Sequence, residues 1–560
     1  MKIVVVGGVA AGPKAAARVR RLLPEAEITL VEQDEALSYA GCGLPYHLGG
    51  MVPSLQALME TNEGVLRTAD YFWATKRIRA LTRTRAEEID RAGRRVRVRS
   101  LESGEERWLP YDKLVLATGA APLRPRLSGL DLRGVFFLHT PSDAAAMQEY
   151  LAAEKVERAV IVGAGLIGLE MADALVNRRV RVTVLEMADQ ILPGPLDWEM
   201  ARLAESQLEH PFLRIVTGAP MQGAEGEGRV QAVATPQGKL PADLVLVAVG
   251  VRPNVGLAQA AGLALGPTGA IATDDRMRTS DPAIYAGGDC VETTHLVSGQ
   301  KVFLPLGSTA NKQGRVIGSN LGGLDDRFPG VVGTMALQTF DVNIGRTGLT
   351  ERQALQAGYD VVTAVAPNFD NAHFYPLHDR ITLKLVVEAG TGRLLGAQGV
   401  GAGDVVRRID VLATAISLGA TVEQAAQLDL AYAPPFAEAM DAALKVCNVA
   451  RNKQGGLAQT TRLEELRERL AAGEEVLLLD VRSPEEVASS PVEVKGAEVL
   501  AIPLAALRDR LAEVPRDKAL VVMCALGIRG YEAQRVLSGA GFQRVTFLEG
   551  GLAPIFAGMV

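Results

Sequence analysis

The strongest constraint on this chain is a repeat. Two segments read as strand, glycine turn, helix, strand, acid. In the first, Ile3–Val6 runs into Gly7-Gly8-Val9-Ala10-Ala11-Gly12, a helical stretch to Leu23, a strand at Glu27–Val31 and then Glu32. In the second, Ala159–Val162 runs into Gly163-Ala164-Gly165-Leu166-Ile167-Gly168, a helical stretch to Val176, a strand at Val180–Leu185 and then Glu186. Each is a βαβ unit of roughly 30 residues, the length of a dinucleotide-binding Rossmann unit. The first glycine makes the tight turn, the second lets backbone approach a pyrophosphate, and the third lets helix pack on strand. The terminal acid accepts from ribose hydroxyls and repels a 2′-phosphate, so Glu186 predicts NADH over NADPH. A chance glycine turn is the alternative, and it leaves the strand, helix and acid unexplained.

The first unit departs from the pattern at Val9, where the middle glycine belongs, but keeps Gly7, Gly8, Gly12 and Glu32. Two units imply two dinucleotides and electron transfer between them. Each unit is completed by a later apolar strand: Lys113–Ala117 ends in Thr118-Gly119, and Leu244–Val249 ends in Gly250. The chain returns to the first unit at Ala283–Ala286 and Gly287-Gly288-Asp289. There a glycine turn lets backbone reach the flavin side of FAD, and Asp289 accepts from a ribityl hydroxyl. An ordinary Gly-Asp turn is the competing reading.

The predicted fold class is therefore α/β. Two nested Rossmann-type domains come first, an FAD domain of residues 1–150 and 255–329 and an NAD(P)H domain of residues 151–254. An α+β domain follows at 330–450, with strands at Ile381–Val387 and Leu394–Val400 before a helix at Val405–Leu418. Polar residues and glycines at 451–461 read as a linker. Residues 462–560 alternate helix and strand as a small parallel α/β domain, with a helix at 462–472, a strand at Val476–Asp480, a helix near Leu504–Leu511, a strand at Ala519–Met523, a helix at Tyr531–Leu537 and a strand at Val545–Leu548.

Composition narrows the function. A chain of 560 residues with net charge -6 and no basic block is not built for nucleic acid. Its 4 Cys are too few and too scattered for a disulfide scaffold or a structural zinc site, so no metal is expected. The longest apolar runs, such as Leu244–Val251, fall far short of the ~18 residues of a membrane span. The N-terminus enters a strand directly, without the layout of a signal peptide, so a reducing cytoplasmic setting is expected.

One cysteine has a setting of its own. Ser38-Tyr39-Ala40-Gly41-Cys42-Gly43-Leu44-Pro45-Tyr46 places Cys42 between glycines and just before a proline that suits a helix start. A thiol at a helix N-terminus is biased towards thiolate. A buried cysteine acting as a small apolar side chain is the alternative, but the glycines leave the sulfur uncrowded. Cys290 and Cys447 have no motif and read as packing residues, and His295 stands alone.

The segment around Cys42, after an FAD fingerprint, resembles the single-cysteine flavoprotein disulfide reductases: coenzyme A-disulfide reductases, NADH-dependent persulfide reductases and NADH oxidases or peroxidases. The resemblance runs from residue 1 to about 450. It implies FAD, NADH and a homodimer with shared active sites. Leu430-Ala431-Tyr432-Ala433-Pro434-Pro435-Phe436 is similar to the family's dimer-domain motif. In the coenzyme A branch that tyrosine and a second, best matched by Tyr375, reach the partner's site. The branch usually has Asn before the cysteine and Lys eight residues after the motif tyrosine; here they are Gly41 and Met440. Lys14, Arg18 and Arg21 stand on the first helix where the branch contacts coenzyme A, and Ser38 joins them as a substrate-binding candidate. A solvated helix face is the other reading of the three cations.

The last domain carries Cys524-Ala525-Leu526-Gly527-Ile528-Arg529 between strand and helix. This Cys-x-x-Gly-x-Arg loop resembles the rhodanese active-site loop. Asp480-Val481-Arg482 and Glu549-Gly550-Gly551 are similar to that family's flanking motifs. The usual His-Ile-x-Gly-Ala is reduced to Val494-Lys495-Gly496-Ala497. The resemblance implies a persulfide anion cradled by loop N–H groups, with Arg529 adding positive charge; a fold kept for interaction alone is the alternative. Together the two cysteines imply reduction of a small sulfur substrate: coenzyme A persulfide, polysulfide or coenzyme A disulfide. An NADH oxidase or peroxidase cycling Cys42 through sulfenic acid, and a sulfurtransferase on an electron-inert flavoprotein scaffold, are the other readings.

Overall fold

A computed structural model describes residues 1–552. The first glycine-turn unit builds a parallel five-stranded sheet, ordered Ile284–Ala286, Lys113–Leu116, Lys2–Val6, Glu27–Val31, Ile78–Leu81. The second builds another parallel sheet, ordered Leu213–Val216, Arg181–Leu185, Arg158–Val162, Leu244–Val247, Val135–Phe136. The central strands are almost wholly apolar and buried, as sheets covered on both faces require. The first sheet takes its edge strand from residues 284–286, so the nested order read from the sequence holds in the topology.

Helix Ala11–Leu22 packs closely on helix Gly307–Leu321. Glycines permit this: a Cβ on Gly314 would lie 2.4 Å from the Ala11 carbonyl oxygen, and one on Gly318 2.5 Å from the Arg18 Cβ. A three-stranded antiparallel meander, Thr84–Asp90, Arg95–Ser100 and Glu106–Pro110, adds an element the sequence pattern did not announce.

The third sheet is antiparallel, ordered Met335–Thr339, Val342–Gly348, Leu394–Gly401, Arg380–Glu388, Val361–Phe369. The last is parallel, ordered Thr460–Thr461, Val545–Leu548, Ala519–Met523, Val476–Asp480, Glu498–Ala501.

By compactness the chain forms two units. One holds residues 1–189 and 210–331; the other holds 190–209 and the residues from 332 onward. Three expectations change. Residues 190–209, read as nucleotide domain, belong with the second unit, because Lys384 of the third sheet gathers Asp197, Glu199 and Glu351 around itself. The linker at 451–461 is mostly structured: Ala442–Gln454 is helix and Thr460–Thr461 is strand. The helix expected near Leu504–Leu511 stops at Leu507, and a 3-10 turn at Leu511–Glu513 follows. Residues 553–560 of the expected last domain lie outside the described residues.

Candidate active sites

Both glycine turns are braced alike. The Glu32 carboxylate accepts from the Gly8 N–H at 2.6 Å and the Asp34 N–H at 3.0 Å. Glu186 accepts from the Ala164 N–H at 2.8 Å and the Ala188 N–H at 2.9 Å. Each oxygen keeps a second lone pair for a ribose hydroxyl. Gly7 and Gly163 have φ of 112° and 106°, and a Cβ on either would strike a carbonyl oxygen within 2.4 Å. Gly12 and Gly168 pack against those turns, at 2.0 and 1.9 Å from the Gly7 and Gly163 carbonyl oxygens for an added Cβ. Gly165 caps helix Leu166–Asn177 without a side-chain hydrogen bond, and a Cβ there meets nothing within 4 Å. Open space before bare helix N–H groups fits a pyrophosphate. The residues present therefore fit two dinucleotides.

Gly288 has φ of 82° and donates its N–H to Gln313 Oε1 at 2.8 Å. Burial pushes the Asp289 carboxyl above the usual range, with His139 opposing. The Thr118 hydroxyl donates to the Asn254 carbonyl at 2.7 Å, and Asn254 Nδ2 donates back to the Thr118 carbonyl at 2.9 Å. Thr118 thus ties its strand end to residue 254, while Gly119 and Gly250 take the positive φ values of 66° and 103° that these crossings need.

Cys42 lies in a 3-10 turn, Gly41–Gly43, ahead of the short helix Leu44–Leu48. The residue is exposed at the surface, yet the protein around its sulfur desolvates it and pushes the thiol up, helped by the charges of Glu170 and Asp289. The thiolate bias expected from a helix end is therefore outweighed: a five-residue helix has little dipole, and two acids face the sulfur. Tyr46 donates to Glu170 Oε1 at 3.4 Å, and burial raises Glu170 to about 7. Glu170 was missed in the sequence; it stands two residues beyond Gly168, at the end of the second fingerprint.

Beside this turn opens a cleft of about 450 Å³, lined by Lys14, Arg21, Ser38, Arg67, Tyr71 and Lys76 among others. Arg67 and Lys76 add two cations that no motif marked. Ser38 sits at φ 50°, held by its N–H to the Gly8 carbonyl and by Arg67 Nη1 to its own carbonyl at 3.0 Å. Lys76 lies 4.4 Å over the Tyr71 ring. Arg18 turns elsewhere and donates to Ser319 Oγ at 3.1 Å, because Gly318 draws the two helices together. Only its Nε is engaged there, and the cleft is lined without it.

In the second unit the Tyr375 and Tyr432 segments meet. The Ala372 N–H donates to the Pro434 carbonyl at 3.3 Å, and buried Arg408 donates to the carbonyls of Asp370 and Phe436. Tyr432 and its neighbours Phe374, Leu377 and Phe436 are exposed.

Cys524 is buried at the end of strand Ala519–Met523. Its sulfur accepts from the Gly527 N–H at 3.1 Å and the Gly530 N–H at 3.2 Å, at the start of helix Ile528–Gly539. Both terminal nitrogens of Arg529 donate to Glu486, at 2.6 and 2.7 Å, which brings that carboxyl down to about 2. Its charge is shared between Glu486 and the sulfur. Glu486 was missed as a partner, though Ser483–Glu486 is a capping box readable from sequence. Asp480 and Arg482 form a buried pair at 2.7 Å behind the loop. Cys290 and Cys447 are buried, and all four cysteines are free. Among the described residues no helix is long and apolar enough to cross a membrane, and no cluster could hold a metal ion.

Known proteins match the chain in three parts. Residues 1–314 match the pyridine nucleotide-disulphide oxidoreductase family, 336–444 its dimerisation domain and 462–556 the rhodanese-like domain. The chain is 42% identical over 451 residues to an NAD(P)H sulfur oxidoreductase (CoA-dependent) of Pyrococcus furiosus, covering 80% of this chain and 99% of that one. It is 32% identical over 438 residues to an NADH oxidase of Enterococcus faecalis, covering 78% and 96%. Among solved structures it is similar to an NAD-dependent persulfide reductase from A. fulgidus, at 46% identity and TM-score 0.94 over 99% of this chain and 100% of that one. It is also similar to Bacillus anthracis CoADR-RHD, at 34% identity and TM-score 0.93 over 99% and 98%. The chain belongs to the pyridine nucleotide-disulphide oxidoreductase family and carries that family's dimerisation domain and a C-terminal rhodanese-like domain.

Proposed function

We propose that this enzyme is an FAD-dependent NAD(P)H oxidoreductase that reduces the S–S bond of a small sulfur substrate, with coenzyme A persulfide first and polysulfide or coenzyme A disulfide next. One observation carries the reading: a single chain holds an exposed cysteine beside a cationic cleft and a second cysteine whose sulfur is cradled by backbone N–H groups. An oxidase cycle on Cys42 needs no second sulfur site.

In this reading Lys14, Arg21, Arg67 and Lys76 hold the phosphates of coenzyme A in the cleft, and Ser38 orders its edge. The Cys42 thiolate attacks the outer sulfur of the persulfide. A Cys42–S bond forms, the substrate S–S bond breaks, and the substrate leaves as its thiolate. The two electrons that release that sulfur as hydrosulfide and restore the Cys42 thiolate are the chemistry a bound flavin and NAD(P)H would supply. The neutral form of Glu170, reached below about pH 7, removes one of the charges that oppose the thiolate. Glu32 and Asp289 serve FAD, and Glu186 serves NADH. Half-buried Tyr375 and exposed Tyr432, on two segments that meet, reach the active site of the partner in a homodimer. Cys524 carries sulfane sulfur. Four free cysteines suit a reducing cytoplasm.

The test is colour and product. Purified protein is yellow, bleaches with NADH under argon, and evolves sulfide from coenzyme A persulfide in proportion to NADH consumed. Oxygen consumption without sulfide would select the oxidase reading instead. Glu186 predicts that NADH exceeds NADPH in kcat/KM by at least about tenfold, ~1.4 kcal/mol; equal efficiencies would remove its assigned role.

A further inference from the structure

Glu549 is the residue before the Gly-Gly turn that closes the Cys524 loop, and it is 6% exposed. Its partners come from the reductase side of the second unit. Oε1 accepts from Lys453 Nζ at 2.7 Å and from the Val365 N–H at 3.1 Å. Lys453 ends the helix Ala442–Gln454, and Val365 lies on the outer strand Val361–Phe369 of the antiparallel sheet. Oε2 is buried with no hydrogen-bond partner among the described residues. A buried carboxylate held on one oxygen depends on its cation, because removing one partner leaves an uncompensated charge.

The three residues after Glu549 close on the second cysteine. Gly550 and Gly551 take φ of 73° and 66°, a conformation that side chains rarely adopt. A Cβ on Gly551 would lie 2.7 Å from the carbonyl oxygens of Cys524 and Ala525 and from the Gly527 nitrogen. The Leu552 N–H donates to the Cys524 carbonyl at 2.9 Å. Gly527 is one of the two residues whose N–H groups hold the Cys524 sulfur. The path from Lys453 to the sulfur is thus a salt bridge, two glycines and one loop.

We propose that the reductase core sets the geometry of the Cys524 loop through Glu549, with Lys453 as the positioning residue. The inference rests on the reading of Cys524 as a sulfur carrier. The rhodanese-like domain is then not a self-sufficient module on a tether: its loop takes its working shape from a carboxylate anchored to the dimerisation domain.

The test uses the full-length holoenzyme and thiosulfate with cyanide. Cys524 thiolate takes the outer sulfur of thiosulfate and sulfite leaves; cyanide then removes that sulfur as thiocyanate and restores the thiolate. Lys453→Met lowers kcat for thiocyanate formation about tenfold with KM for thiosulfate unchanged, because the cradle is misplaced while access is not. Lys453→Arg restores kcat to within about twofold, since it keeps the cation. Lys453→Met with Glu549→Gln recovers most of the loss, since no buried charge remains and the amide oxygen still accepts from Val365. Coenzyme A disulfide reduction by NADH stays at the wild-type rate in every variant. Unchanged kcat in Lys453→Met overturns the proposal. So does a kcat that falls in step with the melting temperature and is recovered neither by Lys453→Arg nor by the double variant, because the ion pair then only holds the fold together. A wild-type chain that gains no sulfur on Cys524, read by intact mass after thiosulfate, fails at the earlier step and removes the sulfur-carrier reading along with the proposal.

Discussion

Cys42→Ser separates binding from sulfur chemistry. In the proposed reading flavin binding rests on the glycine turns, Glu32 and Asp289, and the substitution changes none of these residues. The variant stays yellow and is bleached by NADH, while turnover of disulfide and persulfide is lost; sulfide release at the wild-type rate would remove Cys42 as the redox centre. Glu170 gives a second test, in stability. Its folded-state value, about 7, lies above the ordinary 4.5, so the native state holds its proton more tightly than the unfolded chain. Its stabilising contribution is complete below pH 4.5 and declines as the pH rises through about 7. Glu170→Gln lacks that decline. The melting temperature of the variant relative to wild type therefore rises across this window, and a constant difference would show that Glu170 titrates normally.

Among the elements, the strand Arg380–Glu388 carries the largest electrostatic commitment. Lys384 is fully buried and meets Asp197 at 3.0 Å, Glu351 at 2.7 Å and Glu199. Asp197 caps and Glu199 opens the helix Trp198–Gln207, and Glu351 opens the helix Glu351–Gln356. Arg462, just before the helix Leu463–Ala471, reaches the same Glu351 at 2.8 Å. Lys384→Met leaves three clustered acids without their shared cation and costs about 3–5 kcal/mol. Urea denaturation followed by tryptophan fluorescence checks this through Trp198, on the anchored helix. The cluster also marks where sequence reading stops. Val476–Asp480 and Ala519–Met523 were read to the residue, because each is an unbroken apolar run in a parallel sheet. Lys384 carried no signal inside the expected strand Ile381–Val387, since its partner Glu199 lies 185 residues away in sequence. The Cys42, Cys524 and glycine motifs were legible because local spacing encodes them. Arg67, Lys76, Glu170 and Glu486 were not, because only the fold brings them to their sites.

For the whole molecule, the ties of Lys453 and Arg462 change what truncation does. A chain ending at Gly455 keeps both glycine-turn domains and the antiparallel sheet. It stays yellow and dimeric and reduces coenzyme A disulfide at the full-length rate. It melts below the full chain, because Glu351 loses Arg462 and the Val365 N–H on the edge strand Val361–Phe369 loses Glu549. The excised tail lacks Lys453 and Val365. It therefore transfers sulfur more slowly than the same loop in the intact enzyme, although its own sheet is complete. Equal melting of the long fragment and the full chain would mean that the two parts are thermally independent.

The nested order of the first two sheets also has a consequence for biosynthesis. Lys113–Leu116 emerges from the ribosome well before its neighbour Ile284–Ala286, about 170 residues later, which at ~5–20 residues per second is a wait of roughly 10–30 s. Throughout that interval the nascent first sheet has one open edge, while the second glycine-turn domain completes itself inside the gap. The newborn chain thus finishes its second glycine-turn domain before its first can close, and a dinucleotide arriving early at the first would meet a half-built host.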